Sequence, residues 1–168
     1  SNFTPPTEKL TAIPGTSLLT LQDNRFVDNS TNNIAITVVG NTKVVLKSPY
    51  LPSEQYDPAV HGGSMYFDNT GDELSIPNDA GFQFGTGDFT IELWVYYASS
   101  ADVNGTLIGL NTASAGNWAI IGSSGLLYFQ NGNASSSLMY PYTPPFGQWA
   151  HIAWTRESGI NRAFINGV

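Results

Sequence analysis

Three alternating side chains offer the clearest chemistry in this chain. Glu92, Trp94 and Tyr96 fall on one side of the stretch Phe89-Thr90-Ile91-Glu92-Leu93-Trp94-Val95-Tyr96, with Phe89, Ile91, Leu93 and Val95 on the other. A carboxylate accepts hydrogen bonds from hydroxyls, and aromatic rings stack on the apolar faces of sugars. A trio of this kind on one face of a strand could form a shallow glycan platform. The competing reading is that a second sheet, or a crossing loop such as Pro141–Phe146, covers the rings, because large aromatics are usually buried. Tyr66, Tyr128 and Trp154 are weaker members of the same set.

Other chemistries find less support. The two histidines are His61, in an irregular stretch, and His151, in a strand, and no Gly-x-Ser-x-Gly elbow accompanies them. His151 alternates with Trp149 and Ala153 and reads as a packed or partly exposed structural histidine. The absence of cysteine removes disulfides, thiolate nucleophiles and cysteine metal sites, and two isolated histidines do not make a zinc site.

The elements that must position Glu92, Trp94 and Tyr96 are strands. Only 11% of the 168 residues are charged, with polarity coming from Asn, Ser, Thr and Gly, a composition suited to short strands and tight turns. The expected strands are Ser17–Gln22, Asn33–Val39, Thr42–Lys47, Ser64–Asp68, Glu73–Ile76, Phe89–Tyr96, Thr106–Leu110, Trp118–Gly122, Leu126–Gln130, Trp149–Glu157 and Arg162–Ile165. Gly40-Asn41 is expected to close one hairpin and Asn69-Thr70-Gly71-Asp72 another. Further turns are expected at Ser123-Ser124-Gly125 and Ser158-Gly159. Residues 49–61 read as an irregular crossing, Pro77–Gly87 as a compact loop with room for a helical turn, Gly132–Ser137 as a soft polar loop and Pro141–Gln148 as a Pro-aromatic crossing. Residues 1–16 form a Pro-rich linker or arm, and residues 17–168 one all-β domain. Asn166-Gly167 is a strong hairpin signal followed only by Val168, so the last hairpin is expected to continue beyond a truncated C-terminus. The opening Ser1 likewise suggests a segment or a processed product.

The net charge of −7, with six Lys and Arg, argues against a phosphate-backbone partner and equally against an anionic membrane surface. No apolar run approaches the roughly 18 residues of a spanning helix.

In order along the chain, the pattern resembles the laminin-G-like, concanavalin A-like superfamily. It runs from Leu18-Leu19 through Asp28-Asn29-Ser30-Thr31-Asn32-Asn33, Gly62-Gly63-Ser64-Met65-Tyr66-Phe67-Asp68 and Gly71-Asp72. It continues through Gly87-Asp88-Phe89-Thr90-Ile91-Glu92-Leu93-Trp94-Val95 and Gly147-Gln148-Trp149-Ala150-His151-Ile152-Ala153 to Phe164-Ile165-Asn166-Gly167. The resemblance implies an antiparallel two-sheet jelly-roll sandwich. The stretch Phe3-Thr4-Pro5-Pro6-Thr7, with Gly15–Thr20 and Asn24–Ser30, is similar to a narrower group, modules of structural proteins in tailed bacteriophages, notably marine ones.

Two functions follow as expectations. The first is a non-enzymatic structural or adhesion module of a phage virion protein, in a fibre, an appendage or a capsid surface, that contacts host surface glycans. Its partners would be other virion subunits, with a homo-oligomer expected, and its location virion or extracellular, with no nucleic acid bound and no membrane insertion. The alternative is a carbohydrate-binding module of a secreted bacterial adhesin or enzyme. The same fold hosts glycoside hydrolases, but retaining hydrolysis needs two carboxyl groups about 5 Å apart, and Glu92 stands alone on its strand face. Asp72 and Glu73 are adjacent, so on a strand they point to opposite faces. No enzymatic activity is expected. No cofactor is expected either, apart from calcium, which many laminin-G-like domains bind through Asp oxygens at one rim. Asp68, Asn69 and Asp72 are the candidate ligands, with Asp28 and Asn29 in a second turn. The competing reading is that these side chains simply shape their own turns.

Overall fold

The computed structural model describes residues 2–50, 57, 61–110, 117–131 and 138–168. The Gly132–Ser137 loop and most of the crossing at 49–61 lie outside the described residues. At the end of that crossing, His61 N–H donates to the Asp57 carbonyl at 2.7 Å. The chain divides into two compact units, Pro6–Asp79 and the pair of segments Ser1–Pro5 and Ala80–Val168.

The Pro6–Asp79 unit contains β1 (Thr37–Val39), β2 (Lys43–Val45), β3 (Ser64–Tyr66) and β4 (Glu73–Ser75). The expected hairpins at Gly40-Asn41 and Asn69–Asp72 do not form. β1 pairs with β4, from Thr37 opposite Ser75 to Val39 opposite Glu73, and β2 pairs with β3, from Lys43 opposite Tyr66 to Val45 opposite Ser64. The two registers run in the same sense, so the four strands form one two-stranded ribbon with a break in its middle. A type I′ reversal needs left-handed φ at both central residues. Gly40 has φ +77°, but Asn41 is not left-handed, so the chain kinks there without reversing.

The expected strand Ser17–Gln22 is also absent. Its backbone is committed to the loop that follows. Leu19 N–H donates to Asp28 Oδ1 at 3.0 Å, the Leu19 carbonyl accepts from Asn29 N–H at 2.7 Å, and Leu21 is left-handed at φ +66°. Asp28 is the hub of this loop. It is 4% exposed, and its two oxygens accept from Leu19 N–H, Ser30 N–H, Ser30 Oγ–H and Ile34 N–H at 2.8–3.0 Å.

The other unit is an antiparallel sandwich of two sheets. β5 (Phe89–Tyr96), β10 (Trp149–Glu157) and β11 (Ile160–Ile165) form a three-stranded sheet in the order β11-β10-β5. β6 (Gly105–Gly109), β7 (Trp118–Ser123), β8 (Leu126–Asn131) and β9 (Leu138–Tyr142) form a four-stranded sheet in chain order. The reversals at Ser124-Gly125 and Ser158-Gly159 are made as expected, with both residues of each pair left-handed. β9 corrects the expected boundaries, since Pro141 lies inside a strand. It does so on the edge of the sheet, where a missing N–H costs no ladder bond. The loop before β5 contains the anticipated helical turn, a 3₁₀ turn at Ala80–Phe82.

Alternation sends Phe89, Ile91, Ile152 and Trp154 from the three-stranded sheet into the space between the sheets. They meet Trp118, Ile120, Leu127 and Phe129 there. Trp154, 0% exposed, lies edge-on to Phe89 at 5.1 Å and to Phe129 at 6.0 Å. Phe84 stacks on Phe89 at 4.6 Å and on Trp118 at 5.0 Å, and Trp118 Nε1–H donates to the Phe82 carbonyl at 2.8 Å. Burying a side chain the size of Ile152 or Phe129 contributes about 1.5–3 kcal/mol, so this cluster dominates the unit's stability. No helix among the described residues is long and apolar enough to cross a membrane.

Candidate functional site

The strand register determines which side chains share the outer face of the three-stranded sheet. Tyr96 lies opposite Trp149, Trp94 opposite His151, Glu92 opposite Ala153 and Thr90 opposite Thr155. On the far side of β10, Phe164 lies opposite Ala153 and Arg162 opposite Thr155. The three expected residues therefore sit together in one row, and β10 adds a second row that sequence reasoning did not assign to the site. Alternation within Trp149–Thr155 placed Trp149 and His151 on a common face. Only the cross-strand register brings that face beside Trp94.

The rings form a ladder. Tyr96 and Trp149 meet edge to face at 5.7 Å, and Trp94 and His151 at 5.1 Å. Tyr96, Trp94 and Trp149 are all partly exposed. The crossing loop Pro141–Phe146 pairs beyond the end of β5, through a parallel bridge between Tyr97 and Phe146 and a 2.8 Å bond from Gly147 N–H to the Tyr97 carbonyl. Burial pushes the Tyr97 phenol well above its ordinary value, so it stays neutral. Trp154 faces the core, and the register leaves it no part in the ladder.

At the lower end of the ladder, Glu92 Oε2 lies 3.2 Å from His151 Nε2. The histidine side chain is 1% exposed and the Glu92 side chain 31%, so the carboxylate spans the boundary between protein and solvent. Phe3 closes the other side of the imidazole. It is edge-on to His151 at 5.7 Å and to Phe164 at 5.2 Å, with its N–H donating to the Gly167 carbonyl at 2.9 Å. Among the described residues, the other carboxylate that the β10 alternation puts on this face is Glu157, four residues along the strand from Ala153 and paired with Arg162 at 3.4 Å, so none stands next to Glu92. The ladder can therefore stack a flat apolar ligand face and accept hydroxyl hydrogens, and among the described residues it sets no second carboxyl group next to Glu92.

The calcium candidates belong to the break in the ribbon. Asp72 Oδ1 accepts from Asn41 N–H at 2.6 Å and Oδ2 from Asp68 N–H at 2.9 Å, while Asp68 Oδ1 accepts from Thr70 N–H at 2.8 Å. Asn69 is left-handed at φ +65°. These carboxylates are engaged with backbone amides, and no cluster of three or more His, Cys, Asp or Glu among the described residues could hold a metal ion. Six to eight oxygen ligands suit calcium, and this set does not fit it. Asp28, in the second turn, uses both oxygens on four protein donors.

The Laminin_G_3 family model, of the concanavalin A-like lectin/glucanases superfamily, matches residues 68–168. No curated protein and no solved structure matches the chain significantly.

Proposed function

We propose, for a chain that belongs to the concanavalin A-like lectin/glucanases superfamily, a non-enzymatic module that binds glycans with the outer face of its three-stranded sheet. The observation that carries this reading is the ladder of rings, Tyr96 against Trp149 and Trp94 against the buried His151, with Tyr96, Trp149 and Trp94 partly exposed and the row ending on the Glu92 carboxylate. Stacked aromatics beside a hydrogen-bond acceptor are the means by which a shallow surface holds a sugar ring. A catalytic role is disfavoured because Glu92 lacks the second carboxyl group that retaining hydrolysis requires.

The module's setting is proposed to be a phage virion surface, where it would display this face toward host glycans alongside other copies of itself. The support is the resemblance of Phe3–Thr7, Gly15–Thr20 and Asn24–Ser30 to virion modules. The acidic balance, with −7 net charge, suits an exterior position away from nucleic acid.

A glycan array probed with the wild-type chain and with Trp94→Ala tests the binding reading. Binding by the wild type that falls about tenfold or more in the variant supports it. Equal binding by both overturns it. Mass measurement in solution tests the setting, since a symmetric oligomer favours the virion module and a monomer that binds glycans favours a secreted carbohydrate-binding module.

A further inference from the structure

We infer that His151 is a positioning residue of the platform: it orients Glu92 to accept hydroxyls from a neutral glycan. This inference rests on the platform reading above. His151 is 0% exposed, yet its Nε2 reaches a partly exposed carboxylate oxygen at 3.2 Å. A carboxylate only accepts, so Nε2 must carry the hydrogen. The other ring nitrogen, Nδ1, is buried and has no hydrogen-bond partner among the described residues. A bare lone pair there is tolerable, whereas an N–H would be a buried donor left unpaired. Both nitrogens therefore select the same tautomer.

The ring has little freedom to turn away. Trp94 packs against it at 5.1 Å and Phe3 at 5.7 Å, both edge to face. Its backbone is held by two bonds to one residue: His151 N–H donates to Asn166 Oδ1, and its carbonyl accepts from Asn166 N–H, both at 2.9 Å. Glu92 Oε2 is thereby tethered, while Oε1 has no hydrogen bond to any described residue. That arrangement presents one fixed acceptor beside a stacking surface.

The charges select the ligand class. Among the described residues, the cation that the strand register puts on this face of the sheet is Arg162, 3.4 Å from Glu157. A sialylated, uronated or sulfated sugar would bring its anion toward Glu92, and among the described residues of the three-stranded sheet no unpaired cation meets it, which costs rather than gains energy. Hydroxyl donors of a neutral sugar meet no such opposition.

Two measurements test this. In the free protein, long-range proton–nitrogen correlation spectra are expected to show His151 protonated at Nε2 and bare at Nδ1, and a proton on Nδ1 overturns the inference without touching the platform reading. On an array of neutral hexose oligosaccharides beside sialylated, uronated and sulfated ones, the wild type is expected to prefer the neutral set. His151→Leu is expected to lose about tenfold in affinity, and His151→Gln, whose amide can still donate to Glu92, to recover most of it. Melting temperatures of both variants show whether they fold. If Trp94→Ala abolishes binding but His151→Leu does not, or if the acidic set binds best, the platform stands and this inference fails. If no glycan binds the wild type, or Trp94→Ala changes nothing, the platform reading fails and this inference fails with it.

Discussion

Asp72 bonds to Asn41 across the break in a two-stranded ribbon, its Oδ1 accepting the Asn41 N–H at 2.6 Å. Its second oxygen holds Asp68 N–H at 2.9 Å, so one carboxylate fastens both sides of the interruption. Gly40 has to be glycine for the same reason, because a Cβ there would strike Asp72 Oδ1. Charge-assisted bonds of this kind contribute about 1.5–3 kcal/mol. Asp72→Ala is expected to lower unfolding stability by about that amount, as a shift in the urea midpoint at unchanged slope. Calcium is expected to leave the melting temperature of the wild type unchanged, since a ligand that binds only the folded state would raise it.

The second prediction concerns pH. Burial alone would raise the Asp28 carboxyl, but the bonds from Ile34 N–H, Leu19 N–H, Ser30 N–H and Ser30 Oγ–H outweigh it and hold the group below its ordinary value. A carboxyl lowered in the folded state contributes stability above its unfolded value near 3.8, and loses it as pH falls through the folded value. Asp28→Asn keeps the shape and removes the charge. Stability of the wild type is expected to fall more steeply below about pH 4 than that of the variant, measured by urea unfolding across that range. Near pH 7 the variant is expected to be less stable by about 2 kcal/mol or more, because its amide cannot accept at both positions.

The alternation in Phe89–Tyr96 was sufficient to specify a strand, its core face and the row Glu92, Trp94 and Tyr96. That signal is local, and it survives in the structure residue for residue. Partnership between strands is not local. Gly40-Asn41 has the composition of a reversal, but the Asp72 carboxylate, 31 residues away, holds the Asn41 amide in a chain that kinks and runs on without reversing. Leu18-Leu19 has the composition of a strand, yet Asp28 captures the Leu19 amide. The Trp149 and His151 row of the platform was hidden for the same reason. Register between β5 and β10 is fixed by burial of Ile91, Ile152 and Trp154, and none of that is written in either strand alone.

A third prediction follows from the close approach at Gly167. Its φ is +81°, and a Cβ would meet the Phe3 carbonyl oxygen. Gly167→Ala combines backbone strain with loss of the bond from Phe3 N–H, for an expected cost of about 1–3 kcal/mol. If Phe3 lies on His151 through this contact, amide hydrogen exchange at Phe3 and at His151 is expected to quicken together in the variant. A change at Phe3 alone would mean that the histidine does not depend on the N-terminal segment.

The final prediction concerns the loop that leads into the platform strand. Arg156 is 8% exposed, and its guanidinium donates to three carbonyls, Phe84 at 3.2 Å, Gly85 at 2.9 Å and Gly87 at 2.7 Å from Nε, while stacking over the Phe89 ring at 4.9 Å. The planar fork reaches several acceptors from a fixed position, which a lysine ammonium on a flexible stem cannot reproduce. Arg156→Lys is therefore expected to destabilise by about 1–3 kcal/mol, and Arg156→Met by more, because it strands all three carbonyls. Phe84 is the ring shared by Phe89 and Trp118, so loosening its loop should disturb the start of β5. Near-ultraviolet circular dichroism of Arg156→Lys is expected to show weakened tryptophan bands at a temperature where the far-ultraviolet strand signal is still intact. Simultaneous loss of both signals would show instead that the arginine supports the whole sandwich rather than this loop.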